Sequence, residues 1–299
     1  MARIYPFRAL RPAAEHASAV ASVPYDVVSR DEAKSLAGDE TRSYLHVTRP
    51  EIDLDDGVDA HSDEVYAAGR KALDRLVAEG VLVREEHPAL YVYELTMDAH
   101  VQRGVVMLAS VADYDRNLVR KHEYTRPDKE DDRVRHMEIL GAQSGTVFLC
   151  HRDDSSIDTV VSEASKGEPE VDFHAVDGIR HRIWSIRDAD SIDALVRGFD
   201  EAGPIYIADG HHRSAAASRV SAGKDAPAHR GFLSVSFPAS QMKILPYNRH
   251  VFDLNGHSPA EFHAALSEQF EVSPGKPAES SPGQFAMFLD GQWHTVQVP

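Results

Sequence analysis

Apolar residues recur along this chain at two spacings, and the spacing indicates the element. Between Val58 and Glu79 they fall at Val65, Gly69, Ala72, Leu73, Leu76 and Val77. That period predicts a helix, and Gly80 is placed to end it. Ala89–Leu95 and Arg103–Val111 read as two strands of a hairpin, the second continuous enough in apolar residues to be buried on both faces. Lys129 to Leu140 reads as helical. Strands are then predicted at Thr146–Cys150, Arg180–Arg187, Pro204–Ala208, Gly231–Phe237 and Met242–Pro246, with helices at Ser156–Ser165, Asp190–Phe199 and His211–Ser221. Near the start, Asp31 to Ala37 suits a short helix capped by Ser29. Ser273 to Gly283 reads as a loop or linker, followed by a hairpin of Phe285–Leu289 and Trp293–Val298 turned at Asp290-Gly291. Helices and strands are mixed without strict alternation, which favours an α+β fold over a doubly wound sheet.

Charge and composition narrow the function. The 299 residues carry 32 Lys+Arg and 48 Asp+Glu, a formal net charge of −16. This field repels a nucleic-acid duplex, so no nucleic-acid partner is expected. One cysteine, Cys150, excludes an internal disulfide and a cysteine-rich zinc site. At the end of an apolar run it reads as a buried strand residue rather than a nucleophile. The N-terminus lacks an apolar stretch of signal-peptide length, and Gly104 to Ala112 is far shorter than the roughly 20 residues that span a bilayer. A soluble, cytoplasmic protein without a membrane partner is expected.

Two segments carry candidate chemistry. In Ile205-Tyr206-Ile207-Ala208-Asp209-Gly210-His211-His212-Arg213 an apolar strand runs through Asp-Gly into an Ala-rich helix. Gly210 permits a sharp turn, and free N–H groups in the first helical turn favour an anion such as phosphate. Arg213 can bind one bidentately, and Asp209 can accept a hydroxyl proton or hold a metal. The second segment is His122-Glu123-Tyr124-Thr125-Arg126-Pro127-Asp128-Lys129-Glu130-Asp131-Asp132-Arg133. It opens like a zinc-protease motif, but Arg126 stands where the second histidine is required. Lys129 and Arg133 share a helix face and suit a polyphosphate, while the interleaved acids suit Mg²⁺. The same run also suits a solvated helix with internal ion pairs. Weaker signals are Val23-Pro24-Tyr25-Asp26-Val27, Thr48-Arg49-Pro50-Glu51 and Pro246-Tyr247-Asn248-Arg249, the first two reading more readily as turns. Neither a P-loop nor a Gly-x-Gly-x-x-Gly cradle occurs.

Five segments taken in order resemble the domain of unknown function 1015 family. They are Ile4-Tyr5-Pro6-Phe7-Arg8, Pro24-Tyr25-Asp26-Val27, His122 through Arg133, Tyr206 through Arg213, and Leu245-Pro246-Tyr247-Asn248-Arg249. Family members usually extend further at the C-terminus, so a final segment is expected to be absent here. The Asp-Gly-His-His-Arg turn is also similar to the signature turn of the ParB/sulfiredoxin superfamily, which includes kinases of free serine. Sulfiredoxin chemistry needs a cysteine in that turn, where this chain has His211. The resemblance implies a ParB/sulfiredoxin-like core at residues 113–272, an N-terminal α/β region at 1–112, and a linker with a C-terminal hairpin at 273–299.

It further implies Asp209 as the base, Glu123 as an earlier acid, and His211, His212 and Arg213 as phosphate binders. Joined to the spacing and charge read above, this makes Asp209, Glu123 and His212 the expected catalytic residues. Gly210, His211, Arg213, His122, Arg126, Lys129, Arg133, Asn248 and Arg249 would bind phosphate or nucleotide, and Glu123 and Glu130 would hold Mg²⁺. The expected activity is Mg²⁺-dependent phosphoryl transfer between ATP or ADP and free serine or phosphoserine. The alternatives are a phosphomonoester phosphatase and a nucleotide-binding regulatory module.

Overall fold

The computed structural model describes residues 2–224, 226–246, 248–277 and 281–298. The chain forms two compact units, Met1–Lys243 and Ile244–Pro299. Strands of the first unit are β1 (Ile4–Tyr5), β2 (Leu10–Pro12), β3 (Leu82–Arg84), β4 (Leu90–Met97), β5 (His100–Ser110), β6 (Val119–Arg120), β7 (Val147–His151), β8 (Val171–His174), β9 (Arg180–Ile186), β10 (Ile205–Asp209) and β11 (Gly231–Pro238). Its helices are α1 (Ala17–Val20), α2 (Arg30–Ala37), α3 (Leu45–Thr48), α4 (Asp63–Ala78), α5 (Val111–Asp115), α6 (Pro127–Leu140), α7 (Ser155–Ala164), α8 (Ala189–Ala202) and α9 (His211–Ser221).

Nine strands make one mixed sheet in the order β6-β10-β7-β11-β5-β4-β9-β8, with β1 beside β5. β10 runs parallel to β6, and β7 runs parallel to β11; the other neighbours are antiparallel. Helices and a mixed sheet together make the fold α+β. The expected division at residue 112 does not separate units, because β4 and β5 pair with β9 and β11 from beyond it.

Patterning accounts for the central elements. Ser29 caps α2, and Glu32 closes a capping box. In α4 the predicted stripe buries Val65, Gly69, Ala72, Leu73 and Leu76, whereas Val77 is left exposed. Gly80, at φ +72°, follows that helix's C-cap. Alternate residues of β7 and β10 (Val147, Leu149, Ile205 and Ile207) join the main core. In β5 one face is buried, while Val106 and Leu108 on the other are half-buried, so the expected burial of both faces is only partial. Gly104 lets β5 approach β11 closely, since a Cβ there would stand 2.7 Å from the Ser236 carbonyl oxygen and 2.8 Å from a Phe237 ring carbon. Short side chains at Ala215, Ala216 and Ala217 are buried in α9, which packs against α6. That packing brings the segment before α6 to the start of α9.

The second unit holds α10 (Pro259–Ser267), β12 (Glu271–Pro274), β13 (Gln284–Leu289) and β14 (Gln292–Gln297). The strands form an antiparallel sheet in the order β12-β14-β13. Asp290 and Gly291, both at positive φ, turn the predicted hairpin. β12 takes up the first part of the expected linker, so the boundary expected at 272/273 falls inside this unit; residues 278–280 lie outside the described residues. Met242–Pro246 is not a strand: these residues pair with no other segment among the described residues, and Ile244 is 98 % exposed. Among the described residues, no helix is long and apolar enough to cross a membrane.

Candidate functional site

β10 feeds the turn through an irregularity. Its register against β7 shifts between Ile207 and Asp209, leaving Asp209 at the strand's exposed end. Gly210 follows at φ 96° and ψ 31°, a left-handed conformation that a side chain would strain. α9 then starts at His211 with no side-chain cap, so N–H groups of its first turn are open to an incoming acceptor.

The distant segment arrives at this turn. The His122 backbone N–H points at His211 Nε2 (3.4 Å), and the Arg126 backbone N–H donates to His212 Nε2 (3.1 Å). The His122 and His211 rings meet edge-on with centroids 4.4 Å apart. Glu123 Oε2 stands 3.7 Å from His211 Nδ1. His211 is only 4 % exposed, whereas His122 and Glu123 face solvent. Burial, and then the His122 ring, lower the His211 pKa below the ordinary imidazole value. Its neutral form therefore keeps a lone pair.

Arg213 is held across the turn. It donates to Asp209 Oδ2 and to the Thr146 carbonyl, both at 2.5 Å, and its guanidinium lies against Gly210 and Gly145. A cavity of about 10 Å³ beside it is lined by Tyr25, Arg133, His136, Met137, Ser144 and Gly145. The guanidinium of Arg133 sits 4.1 Å from the Tyr25 ring centroid and pairs with Asp132. The Tyr25 phenol is raised above its usual pKa by burial, against the pull of Arg133 and Arg213. Arg49 donates to the Tyr25 carbonyl (2.9 Å) and pairs with Glu51, so the Arg49–Glu51 segment supports the Tyr25 loop.

Other expected site residues are placed differently. Arg133 is 9 % exposed and committed to Asp132 and Tyr25, whereas Lys129 is exposed with no side-chain ion pair among the described residues. The two therefore do not form a joint phosphate clamp. Glu130 accepts from Thr125 (2.8 Å) and Arg219 (2.9 Å), and it is not in the group of donor atoms that Glu123 forms with His122 and His211. The exposed Arg126 side chain is bidentate to Asp128. Asn248 and Arg249 belong to the second unit, where both are exposed, and Tyr247 lies outside the described residues. Pro6, Phe7 and Arg8 line a separate cleft of about 810 Å³ near the other end of α9, together with Arg84, Lys224 and Arg230.

Sequence reasoning missed the Thr146 carbonyl, Gly145 and Arg219. A backbone acceptor leaves no compositional trace, and Arg219 follows the motif by two helical turns. Burial raises the Cys150 thiol above its usual pKa, the reverse of what a nucleophile requires.

What the arrangement can do follows from its parts. It combines an exposed carboxylate, an arginine tied to that carboxylate, an open helix start and two imidazoles facing a second carboxylate. No curated protein matches the chain, and no solved structure does. The sequence profile described as "Protein of unknown function (DUF1015)" matches residues 4–299, and the chain belongs to that family.

Proposed function

We propose that this protein transfers a phosphoryl group between a nucleotide, ATP or ADP, and a small hydroxylated metabolite of the serine/phosphoserine class. The observation that carries the reading is the meeting of two segments 86 to 89 residues apart, through His122 with His211 and Arg126 with His212. Beside that meeting lie Arg213, the open N–H groups of α9 and Asp209, which is paired with Arg213, and phosphoryl transfer requires such positioning and charge neutralisation above all. The similarity of the Asp-Gly-His-His-Arg turn to free-serine kinases of the ParB/sulfiredoxin superfamily supports the same reading. A cytoplasmic location is consistent with it.

In this account a phosphoryl oxygen competes with Asp209 for Arg213. Asp209, released from that pair, accepts the serine hydroxyl proton as the new P–O bond forms and the bond to the departing nucleotide breaks. His212 and the α9 N–H groups receive charge on the transferred group. Mg²⁺ held by Glu123 together with Glu130 does not suit the donors present, because the donor atoms gathered around Glu123 are the two imidazoles of His122 and His211 and not the Glu130 carboxylate.

The test is incubation of the protein and a divalent cation with phosphoserine, with and without ADP. The proposal predicts ATP formation that requires ADP. Phosphate release without nucleotide would establish the phosphatase alternative instead, and nucleotide binding with no turnover would establish a regulatory module.

A further inference from the structure

We infer that His122, Glu123 and His211 form a binding site for one first-row transition ion of the Mn²⁺-to-Zn²⁺ class, in preference to Mg²⁺. One donor atom from each residue lies within 4.8 Å of the other two. Among the described residues this is the only such group of three His, Cys, Asp or Glu side chains.

The donor chemistry selects the metal class. Mg²⁺ takes oxygen ligands in a strict octahedron, and two imidazoles with one carboxylate are a poor match. Imidazole nitrogen suits Zn²⁺, Co²⁺, Fe²⁺ and Mn²⁺, and a set of two histidines and one carboxylate leaves positions open for water or a substrate oxygen. The oxygen partner that could have favoured Mg²⁺, Glu130, is not in this group of donor atoms.

Placement supports the same assignment. His211 is buried at the first position of an 11-residue helix, a rigid mount for one ligand. His122 and Glu123 are adjacent and exposed on the incoming segment, so they can close on an ion from the solvent side. The two rings are in contact, yet Glu123 stops 3.7 Å from His211, beyond hydrogen-bond reach. An ion there would tie the 122–126 segment to α9.

The inference concerns the site used in the phosphoryl-transfer reading, but its readout needs neither nucleotide nor serine. The full chain, stripped with EDTA, is titrated with CoCl₂ and followed by visible absorption and calorimetry. One equivalent is expected to bind, and millimolar Mg²⁺ should not displace it. Glu123→Gln, at an exposed position, should weaken Co²⁺ by about tenfold or more, as should His211→Ala. His87→Ala, at an exposed histidine elsewhere, should bind as wild type does; with 17 histidines in the chain this separates the site from adventitious binding. Equal Co²⁺ affinity in wild type and Glu123→Gln, or displacement by millimolar Mg²⁺, would overturn the inference. Stoichiometric Co²⁺ binding without turnover of phosphoserine supports the metal site and refutes only the phosphoryl-transfer reading.

Discussion

Asp209→Asn is expected to slow phosphoryl transfer by about 10²–10⁴-fold, the usual contribution of a positioned general base. Asparagine keeps the shape of the side chain but cannot take the hydroxyl proton. It also removes the carboxylate that accepts from Arg213 at 2.5 Å, so the guanidinium becomes freer to meet an anion. Turnover should therefore fall while affinity for phosphoserine is retained or tightened. A drop in kcat without a rise in KM separates loss of a base from loss of a binding residue. Initial rates of ADP-dependent phosphoserine turnover measure both constants; wild-type kcat in the variant would refute the assigned role.

The second large effect is acid lability. His136 and His151 are 3 % and 1 % exposed, and burial pushes each imidazole down to about 4. Their ordinary value is about 6.5. Below pH 6.5 the unfolded chain takes up protons that the folded chain refuses, so the equilibrium moves toward unfolding. The contribution of each histidine is intact above pH 6.5 and is lost as pH falls toward 4. At pH 4.5 the loss is about 2–3 kcal/mol per histidine, a large share of a typical stability of about 5–15 kcal/mol. Carboxylates held below their usual range, such as Asp113 and Asp132, act in the same direction at lower pH, below about 3.8. Urea unfolding at pH 7.5 and 4.5 tests this, and His151→Gln should remove about half of the difference. Equal stability at the two pH values would show that these histidines are not buried neutral.

Much of the scaffold was legible because its signals are local. The helix His211–Ser221 is readable to the residue, because Asp-Gly marks its start and the alanine run favours a helix. The closing hairpin follows from Asp290-Gly291. Other features depend on partners that a sequence does not name. Met242, Ile244 and Leu245 look like a strand, but a strand needs an edge to pair with. Val171–His174 is too short and too polar to announce itself, yet it pairs with β9. Spacing places Lys129 and Arg133 on one helix face, and it is silent on Tyr25, which sits far earlier in the chain and draws Arg133 inward.

The site was legible in the same uneven way. Asp209, Gly210 and His211 announce themselves by crowding into one turn. Glu123 comes in through the resemblance to free-serine kinases, while Glu130, seven residues on, turns to Thr125 and Arg219 and is not in the group of donor atoms around Glu123.

The most direct test of a shared phosphoryl site is a crystal structure of the protein with phosphoserine and ADP. The account predicts the phosphoryl group at the start of α9, hydrogen-bonded within residues 209–213 and facing His122 to Arg126. A phosphoryl group seated instead in the Phe7–Arg8 cleft, with residues 122–126 turned away from it, would contradict the account.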